Sequence, residues 1–297
     1  MKAGMVGLDT SHCIVFTKLL NDATQEHHVP GIQMVAGYPG GSQATTVSWD
    51  RVAGYTQELR DTFGLTIYDR IEDLVDAVDA IFVESCDGRQ HLEQFRLLAK
   101  GKPVFVDKPF ATTTADAEEI VRLAEKTGTP LMSCSSLRYA AGVADLVASS
   151  EGVVACEAYG PAVLLNDYPG LFWYGVHGAE LLFAAMGPGI RHVRCAAFPQ
   201  ADVVTGEWAD GRVGVLRGTR FDRYEFGCVV HTKDETRLGV ARSDPPYYRM
   251  LLERVVPFFQ TGKSPILIEE TVDIVRFLEA AEHSREAKGA LVSIGAE

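Results

Sequence analysis

Apolar and polar positions follow two different rhythms along this chain. In the first half, short apolar runs take turns with stretches of helical spacing. Met5 to Gly7 closes a first strand, and Cys13 to Asn21 has the spacing of a helix. IQMVAGY (32–38) predicts a second strand, ended by the turn-forming PGGS, and 50–63 predicts a helix. AIFVES (80–85) and PVFVD (103–107) are continuous apolar runs, the mark of strands buried on both faces of a parallel sheet. Between and after them, HLEQFRLLAKG (91–101) and TADAEEIVRLAEKTG (114–128) place apolar residues at helical spacing and end on glycine, and PLMSC (130–134) adds a strand. Repeated β-α units of this kind predict a doubly wound parallel sheet over residues 1–137.

From residue 138 the pattern turns β-rich. VVACEAYG (153–160), RHVRCAAF (191–198), GRVGVLRG (211–218) and YEFGCVVHT (224–232) predict strands separated by turns. Helices are expected at 247–262 and 269–289. The expectation is an α/β chain: an N-terminal doubly wound sheet, 1–137, and a C-terminal α+β domain, 138–297, built on a largely antiparallel open sheet.

Composition narrows what such a chain does. A length of 297 residues suits two domains, and 46% hydrophobic with 23% charged residues is a globular balance. A formal net charge of −12 argues against nucleic acid or an anionic membrane surface as partner. No apolar run is long enough to span a bilayer, and nothing near the start reads as a signal peptide. The six cysteines (13, 86, 134, 156, 195, 228) form no CxxC pair, as expected of buried thiols in a reducing cytoplasm.

In an open parallel sheet, ligands bind beyond the carboxyl ends of the strands. Those ends carry Asp9, the Gly40-Gly41 turn, Glu84, Asp87 and Asp107-Lys108-Pro109. Singly, such residues are ordinary turn residues. Grouped, the carboxylates of Asp9, Glu84, Asp87 and Asp107, with His12 and His91 nearby, repel one another. Protonation, pairing with Lys108 or Arg89, or a bound cation relieves that repulsion.

The segment GKPVFVDKPFATTTADAEEIVRLAEKTG resembles the signature of the Gfo/Idh/MocA oxidoreductases, the glucose-fructose oxidoreductase and inositol dehydrogenase family. LVDAVDAIFVESCDGRQHLEQFRLLAKGK is similar to the family's preceding strand, loop histidine (His91) and helix. LMSCSSLRY, the helix YGVHGAELLFAAMG and the closing TVDIVRFLEAAEHSREAKGALVSI extend the resemblance over nearly the whole chain. It implies a Rossmann-like first domain and a nicotinamide-dependent dehydrogenase of a sugar, polyol or related hydroxyl compound. It also implies NAD or NADP as cofactor and a homodimer or homotetramer joined through the second domain's sheet.

Residue by residue, the resemblance implies that Lys108 is the catalytic lysine and His177 the acid-base histidine, with Glu180 orienting its surroundings. Cofactor contacts are expected from Gly7, Asp9, Thr10, Ser11 and His12 in the first turn, from Glu84, Asp87 and His91 after the central strand, and from Asp107, Lys108 and Pro109. No metal is assigned on this reading.

Three positions depart from the family pattern. The glycine-rich turn becomes Gly7-Leu8-Asp9-Thr10-Ser11-His12, keeping one glycine, so Asp9 is expected to oppose phosphate at the helix start or to cap the helix. The second strand ends in Tyr38-Pro39-Gly40-Gly41-Ser42, without the acid or arginine that sorts NAD from NADP. Trp173 stands where the family often has a catalytic aspartate, leaving Asp167, Tyr168 or Tyr174 to substitute; Asp167 is taken as the third catalytic residue. These departures keep two other functions open: a metal-dependent lyase, isomerase or hydrolase, with His177 and Glu180 as further ligands, and a ligand-sensing regulatory protein.

Overall fold

The computed structural model describes residues 1–221 and 223–295. β1 (Lys2–Val6) is buried from Ala3 onward and turns into α1 (Ser11–Asn21). There follow β2 (Gln33–Tyr38), α2 (Thr46–Asp61), β3 (Thr66–Ile67), α3 (Ile71–Ala77), β4 (Ala80–Val83), α4 (His91–Leu98), β5 (Val104–Val106), α5 (Thr114–Thr127) and β6 (Leu131–Ser133). The six strands pair in parallel in the order β3-β2-β1-β4-β5-β6. β4 and β5 are buried at every position, which is why they read as unbroken apolar runs. Strand order reverses between β1 and β4, and that switch point is where a doubly wound sheet opens a ligand crevice.

The second half contains α6 (Ala144–Ala148), β7 (Val153–Pro161), α7 (Gly175–Met186), β8 (Ile190–Phe198), β9 (Ala201–Trp208), β10 (Val213–Thr219), β11 (Gly227–Thr232) and β12 (Thr236–Val240). α8 (Tyr247–Thr261), α9 (Ile268–Glu286) and β13 (Val292–Ser293) complete it. Its strands form a second sheet, β12-β11-β7-β10-β9-β8-β13, antiparallel except where β10 runs parallel to β7. β9 and β12 are strands that the hydrophobic pattern does not announce. On a sheet with one solvated face, Thr205 and Glu207 of β9 and Thr236 of β12 point outward, and Gly206 interrupts the remaining alternation. Helix and strand ends move by a few residues: α1 begins at Ser11 rather than Cys13, α2 at Thr46 rather than 50, and β11 at Gly227 rather than 224.

The chain divides into two compact units. One comprises Met1–Ala111, Ala115–Cys134 and Tyr248–Ile268; the other comprises Thr112–Thr114, Ser135–Tyr247 and the residues from Glu269 onward. α8 thus belongs, from Tyr248, with the parallel sheet. There its Phe259 meets Phe82 of β4 edge-on at 4.9 Å, and Phe82 in turn touches Phe16 and Phe105 at 5.9 and 5.8 Å. Such edge-to-face contacts fix ring orientation as well as burying area.

In the second unit, α7 lies against the sheet. A methyl group on Gly178 would stand 2.5 Å from Cδ1 of Leu216 on β10, so the glycine sets how closely the helix approaches. Trp208 is buried among Phe183 and other core groups, and its indole N–H donates to the carbonyl of Gly187 at 2.8 Å. All six cysteines are buried free thiols. Among the described residues, no helix is long and apolar enough to cross a membrane.

Candidate active site

Gly7 follows β1 with φ +88°, and a Cβ there would lie 2.2–2.6 Å from Ser85. The one glycine kept from the family turn is therefore needed for β1 to pass the end of β4. The next main-chain N–H groups are drawn to the loop after β2: Gly7 donates to the carbonyl of Tyr38 at 3.0 Å, and Leu8 to that of Pro39 at 2.8 Å.

Asp9 is fully buried and turned away from the helix it precedes. Its Oδ1 accepts from the main-chain N–H of Cys86 at 3.0 Å, and its Oδ2 accepts from the Ser48 hydroxyl at 2.5 Å. The carboxylate thereby ties the loop after β4 to α2. The cap of α1 is Thr10, whose hydroxyl accepts from the N–H of His12 at 3.5 Å. Asp9 is therefore not the cap expected of it. In the first turn of this 11-residue helix Ser11 is exposed, while the N–H groups of His12 and Cys13 are both taken up by Thr10, through its hydroxyl and its carbonyl.

His12 sits one turn into α1 with both ring nitrogens engaged. Its Nδ1–H donates to Oδ2 of Asp107 at 2.8 Å, and Nε2 lies 3.0 Å from the hydroxyl of Tyr248 at the start of α8. Glu84, at the end of β4, is also fully buried, with Oε2 3.7 Å from His12 Nδ1. Among the described residues, neither Glu84 oxygen meets a hydrogen-bond donor. Burial first, then the neighbouring Asp107 and Asp9 carboxylates, push Glu84 well above the usual range against the pull of Lys108. Asp107 goes the other way. Burial works to raise it, yet the charges of His12 and Lys108 hold it down to about 2. Lys108 follows at the carboxyl end of β5, nearly buried, with Nζ 3.8 Å from Oδ2 of Asp107 and a cis bond to Pro109.

The structure thus brings together Asp9, His12, Glu84, Asp107 and Lys108. Asp87 and His91 lie in the same unit but serve the loops. Burial works to raise Asp87, but hydrogen bonds from Arg89 and Ser42 hold it below its usual value. Ser42 thus links the glycine loop after β2 to the turn after β4, as does Gln90, which donates to the carbonyl of Gly41. His91 meets two main-chain carbonyls, Ser85 at 2.7 Å and Phe110 at 3.1 Å, and so braces the segment that carries Lys108.

In the second unit, His177 opens α7 with Nδ1 2.6 Å from the Ser135 hydroxyl, its ring between those of Tyr174 and Phe226 at 5.5 and 5.6 Å. Glu180 turns instead to Arg138, which donates to it at 2.9 Å and pairs through its other nitrogen with Glu270. Burial, helped by the Glu270 charge and opposed by Arg138, raises Glu180 to about 7. Trp173 packs on Tyr168 and Tyr174, and Asp167 stands half-buried in the loop before Tyr168. Pattern reading missed Tyr248, Ser48, Ser42 and Ser135. Hydroxyls in turns and at helix starts give no signal until the fold names their partners.

Residues 18–134 match the Gfo/Idh/MocA model, described as an oxidoreductase family with an NAD-binding Rossmann fold. The match begins after the altered turn at Gly7–His12. No curated protein sequence matches the chain. Solved structures share the whole fold at low identity. A probable dehydrogenase from Thermotoga maritima has a TM-score of 0.80 at 17% identity, covering 99% of each chain. Myo-inositol dehydrogenase from Lactobacillus casei, crystallised with NAD(H) and myo-inositol, has a TM-score of 0.77 at 15% identity, covering 100% of this chain and 97% of the other. Myo-inositol 2-dehydrogenase from Lactobacillus plantarum has a TM-score of 0.77 at 15% identity, covering 99% of each. Over residues 18–134 the chain is thus similar to the Gfo/Idh/MocA oxidoreductases.

Proposed function

We propose that the protein is an NAD(P)-dependent oxidoreductase acting on a hydroxyl of a sugar, an inositol-like polyol or a related small molecule. The observation that carries this reading is Lys108, held at the end of β5 beside the strand switch point, in a span that is similar to an oxidoreductase family. When bound, the nicotinamide supplies a hydride acceptor. Lys108 donates a hydrogen bond to the substrate oxygen and stabilises the alkoxide character that grows as the C–H bond breaks. Asp107, ionised beside it, keeps the ammonium oriented. His177, its ring fixed through Ser135, is the acid-base residue that the family resemblance implies. Asp167 is the carboxylate that this reading places beside His177's role. This reading places the pyrophosphate at the turn before α1.

The test is a fluorescence titration of ligand-stripped protein with NADH and NADPH, followed by turnover on a panel of polyols and sugars. Saturation in the micromolar range, about −8 kcal/mol, is expected. Lys108→Met is expected to lower turnover by roughly 10²–10³-fold, with NADH affinity within about threefold of wild type. Turnover that survives Lys108→Met, or no binding of either dinucleotide, would overturn the reading. We also propose a homo-oligomer joined through the outward face of the second sheet, where Val203, Val213, Val215, Val229 and Leu238 alternate with buried neighbours.

A further inference from the structure

Most buried acids in this molecule have a full-time basic partner. Asp87 has Arg89, Glu180 and Glu270 share Arg138, and Asp202 accepts from Arg285 and Arg220. Asp9 is held by the Cys86 N–H and the Ser48 hydroxyl instead, whereas Glu84 has no donor of either kind among the described residues. The Glu84 side chain is wholly buried and aimed at His12 and Asp107. We propose that His12 Nδ1, one oxygen of Glu84 and one of Asp107 form a site for a single divalent transition-metal ion of the zinc or manganese kind.

The three ligand atoms all lie within 4.8 Å of one another, with Nδ1 and the Asp107 oxygen 2.8 Å apart and Nδ1 and the Glu84 oxygen 3.7 Å apart. Both of the latter separations lie within the roughly 4 Å that two metal–ligand bonds of about 2.0–2.2 Å can span. Bound there, a divalent ion would balance the charges of its two carboxylate ligands, with the imidazole as a neutral ligand.

Tyr248 allows that imidazole role. A phenol both donates and accepts, so the ring proton can move from Nδ1 to Nε2 and donate to Tyr248 across the same 3.0 Å. Nδ1 is then open to the metal, and the tyrosine becomes the outer partner that orients a ligating histidine. One imidazole with two carboxylates favours zinc, manganese or ferrous iron over calcium, which takes oxygen ligands alone.

The test uses the full-length protein, stripped with chelator, titrated with zinc chloride and assayed for bound metal after dialysis. One zinc per chain is expected, with a melting temperature that rises with zinc concentration. Glu84→Gln is expected to weaken binding at least about 100-fold and Tyr248→Phe about tenfold, on the scale of lost ligands and outer partners. His231→Ala, on β11 of the second unit, is expected to leave affinity unchanged. Should Glu84→Gln fail to fold, Tyr248→Phe and the zinc-dependent melting of the wild type decide. Sub-stoichiometric binding, unchanged melting, or wild-type affinity in Glu84→Gln or Tyr248→Phe would overturn the site. NADH titration of the same preparations, with and without zinc, keeps the fate of this proposal separate from that of the dehydrogenase reading.

Discussion

In the second unit, one guanidinium faces two buried carboxylates, Arg138 between Glu180 and Glu270. In the first unit, two buried carboxylates face a histidine edge and a lysine 3.8 Å away, and one of them, Glu84, accepts no hydrogen bond among the described residues. Each arrangement buries like charges at a cost, but only the first has a rigid, permanently charged fork to offset it. An acid pair filled by arginine is a fixed joint. A pair left partly open is ready to take a proton or a cation, and it lies at the strand ends where the parallel sheet offers its crevice.

Breaking the joint gives the largest expected effect. Arg138→Met leaves Glu180 and Glu270 buried without their cation and is expected to cost about 3–5 kcal/mol in urea unfolding. A loss under about 1 kcal/mol would erase the contrast between the two clusters. Asp9→Asn in the first unit is expected to cost about 1–3 kcal/mol by the same measurement, because it weakens the bonds from Cys86 N–H and Ser48.

The pH dependence of the second cluster sharpens the comparison. Burial raises Glu180 from 4.5 to about 7, so between those values the folded chain holds a proton that the unfolded chain has released. Stability present below pH 4.5 is therefore lost as pH rises through 7. Glu180→Gln is expected to flatten that slope in unfolding free energy measured from pH 4.5 to 7.5. The smallest effect on stability is expected from Val215→Asp on the outward face of β10, under about 0.5 kcal/mol, with the oligomer dissociating by light scattering. An unchanged mass would remove that face from the proposed interface.

The parallel sheet was legible because β4 and β5 are buried at every position, which leaves an apolar run no polar reading. β9 and β12 were not, because a half-solvated strand carries threonine and glutamate without penalty. At the cluster in the first unit, Asp107 and Lys108 could be named from a short segment that follows a buried strand. The inward turn of Asp9 could not, since its partners are a main-chain N–H 77 residues away and the hydroxyl of Ser48. Tyr248 was hidden more deeply still. It reaches His12 across 236 positions and lies in a stretch that reads simply as a helix start.

That long reach has a consequence for how the molecule is made. The parallel sheet takes Tyr248–Ile268 as its own, so the whole of 135–247 must leave the ribosome before Phe259 can cover Phe82. At about 5–20 residues per second, the first unit waits many seconds with an aromatic seam uncovered. During that interval its protection depends on whatever else in the cell binds exposed phenylalanines.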